Sequence, residues 1–262
     1  MLRAVALTKT YSLGAPPLAL PALAPLDLDV CDGELVFLLG ANGAGKTTTL
    51  NCFLDFVRPS GGRAEVDGIH VAAEPLAAKR RMAFVPENVV AYPSLSAVQN
   101  LRFFARLGGR AQEPSSEECE RALTRAGLER AAHHRAVRDF SKGMRQKLGL
   151  ATAIARDTPN LVLDEPTSGL DPAAAADFMN LLAKLRDDGR AILMSTHDVF
   201  RARLHADRAA ILRAGRLVAV APREELRTHD LEGLYLRYMR GGVGAECGEI
   251  PGPQPRAPSP CP

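Results

Sequence analysis

The nonapeptide GANGAGKTT (residues 40–48) follows the apolar run ELVFLL (residues 34–39) without a break. Gly40, Gly45, Lys46 and Thr47 fit G-x-x-x-x-G-K-[ST], and Asn42, Gly43, Ala44 and Thr48 complete the loop. In this pattern small residues let the backbone wrap a polyphosphate, with successive N–H groups aimed at its oxygens. The apolar run predicts a buried strand. The segment TTTLNCFLDF predicts a helix whose positive N-terminal end faces the same anion. A glycine-rich turn with an incidental lysine would require neither flanking element. The combination confines the chain to an α/β fold in which Lys46 reaches the β- and γ-phosphates of a nucleotide and the Thr47 hydroxyl ligates Mg²⁺.

The rest of the chain is consistent with a mostly parallel core sheet. MAFVP, LVLDE and AILMST are apolar runs followed by helical patterns, the arrangement of a parallel sheet flanked by helices. RAEVDGIHV carries Asp67-Gly68 between short β-type runs, a hairpin signal that predicts an antiparallel β layer against the nucleotide core. From about residue 94 to 157 the pattern is helical, with Ser115 and Glu118 spaced as a capping box. This stretch is expected to form a helical lobe, about residues 88–158, inserted between two core strands. The clearest helix follows Asp171 as N-cap and Pro172 at its first position. It carries Phe178, Leu181, Leu182 and Leu185 on one face and ends before Gly189. Residues 1–240 then form one domain. Residues 241–262, with six prolines among the last twelve, are expected to be disordered. No internal repeat is visible, so one nucleotide module is expected.

Composition removes several function classes. With 262 residues, 46% hydrophobic, 24% charged and a net charge of +3, the chain reads as an ordinary globular protein. Its arginines form no stripe, so nucleic acid is not an expected partner. The five cysteines, at 31, 52, 119, 247 and 261, include no C-x-x-C pair and suit thiols in a reducing compartment better than a disulfide or zinc framework. MLRAVALTKT lacks the apolar core of a signal peptide, and PPLALPALAPLDLDV is broken by four prolines. The expectation is a cytosolic chain, or one held at a membrane through a partner.

Three further motifs bear chemistry. In NLVLDEPTSGLDP (residues 160–172) an apolar strand ends in Asp164, a carboxylate beside the cradle that can hold Mg²⁺. Glu165, one residue on, can polarise an attacking water. A later strand ends in Ser195-Thr196-His197. A lone histidine is more often structural, but the carboxyl ends of core strands are where ligands of open α/β sheets gather, which points His197 at a γ-phosphate. In FSKGMRQKLGL (residues 140–150) a serine and a glycine precede a helix. Alone this is a capped helix; with the other motifs it is a second anion-binding N-terminus.

In this order the four motifs resemble those of the ATP-binding cassette (ABC) ATPases, over about residues 1–220. The family's SGGQ signature stands here as Ser141-Lys142-Gly143-Met144. The resemblance implies a P-loop NTPase fold of the ABC type and a homodimer that sandwiches two ATP molecules with Mg²⁺. In that dimer Ser141 and Gly143 reach the γ-phosphate held by the opposite copy, and Asp171 crosses the interface. It further implies Tyr11 on the adenine, residues 42–48 on the phosphates, Asp164 and Glu165 as magnesium and base carboxylates, and His197 as the switch. Glu87, in FVPEN, takes the place of the usual glutamine that contacts the metal from the lobe-linking loop. The segment between Tyr11 and Gly33 looks longer and richer in proline than is usual. Such cassettes act at the cytoplasmic face of the membrane, bound to an integral permease.

PENVVAYPSLSAVQNLRFFARL, SKGMRQKLGLA and LEGLYLRYMR are similar to the NosF-type ATPases of nitrous oxide reductase maturation, which serve assembly of a copper centre. A drug, lipid or polysaccharide exporter is the alternative. Cassette proteins of translation carry two cassettes, and those of DNA repair a long coiled coil; neither is present. A non-hydrolysing regulatory module would be expected to lack Lys46, Glu165 or His197, and all three stand.

Overall fold

The computed structural model describes residues 1–13, 18–108 and 112–228. Its strands separate into two sheets. One is antiparallel and contains β1 (Leu2–Leu13), β2 (Leu18–Val30), β4 (Gly61–Val66) and β5 (Ile69–His70) in the order β2-β1-β4-β5. The other contains β3 (Leu35–Leu39), β6 (Met82–Val85), β7 (Asn160–Asp164), β8 (Ala191–Thr196), β9 (Arg208–Arg213) and β10 (Arg216–Pro222) in the order β10-β9-β3-β8-β7-β6. There every pairing is parallel except that of β10 with β9.

The sequence of β3 explains its place at the centre. All five residues are buried, because a strand covered on both faces must be apolar at every position. Leu35, Phe37 and Leu39 join a core shared with the helical lobe. Val36 and Leu38 join a second core that includes Leu50 and Phe53 of α1 (Lys46–Phe53) and the antiparallel sheet. Each such side chain contributes about 1.5–3 kcal/mol on burial. Asp67-Gly68 forms the expected two-residue turn, with Val66 opposite Ile69.

Most of the proline-rich segment between Tyr11 and Gly33 is β2. Pro21 lies opposite Thr10, and β2 is the sheet's edge strand, where a missing N–H on the solvent side costs no ladder bond. Tyr11 accordingly lies within β1, opposite Leu20, and not in a loop. The register of β1 shifts three times between Ala4 and Thr10. These irregularities break the period-2 pattern by which a strand is read from sequence.

The lobe lies between β6 and β7. It is built from α3 (Ala97–Leu107), α4 (Ser116–Arg125), two 3-10 turns (Arg130–Ala132 and Val137–Asp139) and α5 (Lys142–Ala155). Ser115 and Glu118 form the expected capping box, and Ser96 and Gln99 form another. Short helices α2 (Pro75–Arg80), α7 (Val199–His205) and α8 (Arg223–Thr228) join the strands at the periphery. The helix α6 (Pro172–Asp187) starts at Asp171 and buries Phe178, Leu181, Leu182 and Leu185 as expected. Cys52 and Cys119 are buried thiols, whereas Cys31 is disulfide-bonded, against the expectation of a thiol there. Among the described residues no helix is long and apolar enough to cross a membrane. The LEGLYLRYMR segment and the proline-rich tail lie outside the described residues.

Candidate nucleotide site

The cradle begins where β3 ends. A β-carbon at Gly40 would lie 2.6 Å from the carbonyl oxygen of Leu212 and 2.8 Å from Ala44 Cβ, so only glycine fits between the loop and β9. Gly45, at φ 106°, turns the chain into α1 as an N-cap without a side-chain capping bond. The first intrahelical bond is that of Thr49 N to Gly45 O, 2.9 Å. The N–H groups ahead of it, at the positive end of the helix dipole, form a site suited to an anion. Asn42, Gly43 and Thr47 are exposed, Thr48 is half-buried, and Ala44 packs inward. Lys46 is only 6% exposed. Its Nζ donates to the Gly40 carbonyl at 2.6 Å and to that of Ala41 at 3.4 Å, so the ammonium lies folded over its own loop.

The neighbouring strands end at the same level. Leu39 lies beside Thr196, and Asp164 beside Ser195. Thr47 Oγ1 and Asp164 Oδ2 are 3.4 Å apart. They are two hard oxygen ligands of the kind Mg²⁺ takes when waters and substrate phosphates complete its shell, and the site therefore fits that ion. Consecutive residues of a strand point to opposite faces, which would separate Asp164 from Glu165. Glu165 has φ 44°, a left-handed conformation that breaks the alternation and lets both carboxylates serve one site. The strain, about 1–2 kcal/mol, is held by bonds from Glu165 N to the Ser195 carbonyl (3.2 Å) and to Ser195 Oγ (3.1 Å). The Glu165 carboxylate lies between Lys46 Nζ, 3.4 Å away, and His197 Nδ1, 3.0 Å away. His197 is otherwise mostly open to solvent.

The remaining expected residues form a second group. Ser141 caps α5, accepting from Met144 N at 3.2 Å. Asp171 caps α6, accepting from Ala174 N at 2.9 Å. A β-carbon at Gly143 would stand 3.6 Å from Ala174 Cβ and 3.8 Å from Leu170 Cδ2, so the start of α5 lies against the loop that leads into α6. Glu87 pairs with Lys142 Nζ at 3.8 Å. Its backbone carbonyl and that of Pro86 accept from Gln146 Nε2 at 2.6 and 3.1 Å. Among the described residues no hydrogen bond or ion pair joins this group to Lys46, Thr47, Asp164, Glu165 and His197. Tyr11 is half-buried, with Lys9 Nζ 4.9 Å from its ring centre. The hairpin that carries it abuts the cradle, since a β-carbon at Gly45 would be 3.0 Å from the Ala22 carbonyl.

Two residues of the site escaped the sequence reading. Gln146 ties α5 to the 86–87 loop, and Ser195 contacts both Asp164 and Glu165. A signal existed for Ser195, a hydroxyl in the otherwise apolar strand AILMS, but only the contact gives it meaning.

The profile of the family described as ABC transporter matches residues 23–168. The chain is 35% identical over 224 residues to the human retinal-specific phospholipid-transporting ATPase ABCA4, covering 86% of this chain and 10% of that protein. It thus spans about a tenth of the length of such relatives. It is 37% identical over 201 residues to the Nod factor export ATP-binding protein I of Cupriavidus metallidurans, covering 77% of this chain and 66% of that one. Among solved structures it is similar to the ATP-binding cassette MJ0796, a dimer in a post-hydrolysis state bound to ADP and Pi. The TM-score is 0.76 at 26% identity, over 85% of this chain and 99% of that one. A phosphate cradle, the two strand-end acids and the capped α5 lie within a fold and a sequence shared with these proteins, and the chain belongs to the ABC transporter family as an ATP-binding cassette.

Proposed function

We propose that the chain binds ATP with Mg²⁺ and hydrolyses it, as the motor subunit of a transporter. The observation that carries this is the Glu165 carboxylate held between Lys46 and His197, beside the Thr47–Asp164 oxygen pair. The N–H groups of residues 42–48 and Lys46 bind the phosphates, and Tyr11 stacks on the adenine. Thr47 and Asp164 hold the metal, which when bound supplies charge that offsets the negative charge developing on the β- and γ-oxygens. Glu87 approaches it from the lobe-linking loop. Binding draws Lys46 from Glu165 to the phosphates and frees the carboxylate. Glu165 then orients a water and takes its proton as the water oxygen bonds to the γ-phosphorus. The bond from that phosphorus to the bridging oxygen breaks, its electron pair leaving with ADP. His197 fixes Glu165 and reads the γ-phosphate.

The chain acts as a homodimer. Ser141 and Gly143 offer the N-terminus of α5 to the γ-phosphate held by a second copy, and Asp171 crosses to that copy. That no hydrogen bond or ion pair joins the two groups among the described residues supports this reading. The permease docks beside the lobe, on Tyr92, Pro93 and Leu95 and on the adjoining groove of about 360 Å³ lined by Phe56, Leu76, Phe84, Leu107 and Arg156. Phe56, Leu76 and Leu107 are 62%, 72% and 68% exposed, and exposed apolar side chains that line one groove are the kind of surface a protein partner covers. On this reading the chain works at the cytoplasmic membrane face, held there by its partner.

The finer role is maturation of the copper centre of nitrous oxide reductase, by moving a sulfur- or copper-related species. It rests on the sequence similarity of the 86–107, 141–151 and 231–240 segments. The second reading, the ATPase of a drug, lipid or polysaccharide exporter, is favoured by relatives named for phospholipid transport and Nod factor export. Steady-state ATPase assays with and without Mg²⁺ test the activity. Deletion of the chain in its host separates the roles. Reductase polypeptide lacking its catalytic copper centre supports maturation; full copper content and activity, with no paralogue compensating, leaves the exporter reading.

A further inference from the structure

We propose that Ser195 is a positioning residue of this site, whose hydroxyl orients Asp164 toward the metal. The inference rests on the proposed MgATP chemistry. Ser195 is fully buried (0% exposed) in β8, directly beside Asp164 in the parallel register. A carboxylate only accepts, so the 2.5 Å contact with Asp164 Oδ1 is a bond donated by the Ser195 hydroxyl. The hydroxyl oxygen is thereby left to accept from Glu165 N at 3.1 Å. One buried hydroxyl thus engages the carboxylate of one acid and the backbone of the next. With Oδ1 occupied, Asp164 presents Oδ2 to Thr47 Oγ1 and the cradle. Without that bond the carboxylate would be free to rotate about its last torsion, and the energy of metal binding would have to include fixing it.

Among the described residues Ser195 bonds to Asp164 and Glu165 and to no residue of the cradle, so its removal should leave metal-free nucleotide binding alone. Glu165 N keeps its second acceptor, the carbonyl of residue 195 at 3.2 Å, so the backbone turn also survives.

The test uses the full chain with ATP and with Mn²⁺ as the metal probe, followed by electron paramagnetic resonance. For Ser195→Ala we expect metal-free ATP affinity within about twofold of the unsubstituted protein and Mn²⁺ affinity in the ATP complex about tenfold weaker or more. Ser195→Thr, which keeps the hydroxyl, should recover most of the loss. In an Asp164→Asn background Ser195→Ala should cost little more. Should Ser195→Ala fail to fold, Ser195→Cys, similar in shape but a weak donor, is read by the same criteria. Unchanged Mn²⁺ affinity, or a loss equal to that of metal-free ATP binding, overturns the inference while leaving the proposed function. An unsubstituted protein that binds no ATP overturns both.

Discussion

Gly40→Ala isolates a contact from a conformation. The φ of Gly40 lies outside the left-handed region, so alanine meets no backbone strain there. Its methyl would instead stand 2.6 Å from the Leu212 carbonyl and 2.8 Å from Ala44 Cβ. Leu212 and Ala44 are buried, and Leu212 lies in β9 opposite Leu217 of β10, so neither wall can rotate aside as a surface side chain would. The cradle must move by several tenths of an ångström. Overpacking of this kind costs roughly 1–3 kcal/mol, which lowers Tm by roughly 2–12 °C for a domain of this size. The Gly40 carbonyl accepts from Lys46 Nζ at 2.6 Å, so the same displacement moves the phosphate-binding ammonium. ATP affinity should fall by about tenfold or more, equivalent to at least about 1.4 kcal/mol. Thermal melts followed by circular dichroism and ATP titration by calorimetry measure both effects. A variant with unchanged Tm and unchanged ATP affinity would refute the claim that the cradle is set by its contact with β9.

Glu165→Gln keeps shape and removes the base, so ATP binding should persist while turnover falls about a hundredfold or more in a coupled-enzyme assay; unchanged hydrolysis removes Glu165 from that role. Gln146→Leu takes a donor from the Pro86 and Glu87 carbonyls and should cost about 1–3 kcal/mol in urea unfolding, with an unshifted midpoint counting against the tie between α5 and the 86–87 loop. Burial pushes the Cys52 thiol from its ordinary 9.0 up to about 11, against a small opposing effect of Lys9. At pH 8 Cys52 should therefore resist iodoacetamide until the protein unfolds. The stability this thiol contributes is present below pH 9 and lost as pH rises toward 11; rapid native labelling at pH 8 would contradict its burial.

What the sequence revealed follows from what a pattern can encode. Strands β3 and β8 were visible because burial on both faces demands unbroken apolar runs, and Asp67-Gly68, Ser115 with Glu118, and Asp171-Pro172 because each motif solves a local hydrogen-bonding or backbone problem. The β1–β2 ribbon was not, because bulges scramble its alternation and an edge strand tolerates Pro21. At the site, residue types announced Lys46, Thr47, Asp164 and Glu165, but not how two adjacent acids converge. That depends on the left-handed backbone at Glu165 and on the Ser195 bonds across β7 and β8, which link residues thirty positions apart. The pairing of Glu87 with Lys142 likewise depends on how α5 packs against the loop after β6.

The central claim is that one chain supplies only half of a hydrolytic site, Lys46 with Glu165 on one side and Ser141 on the other, and mixing two defective proteins tests it most directly. Lys46→Ala and Ser141→Arg chains should each be inactive alone. Combined in equal amounts, half of the dimers should be mixed, and in each of these one site unites an intact cradle with an intact α5 N-terminus. ATPase activity should then return to about a quarter of the unsubstituted level. No recovery at any mixing ratio, with mixed dimers shown to form, would mean that the site is complete within a single chain.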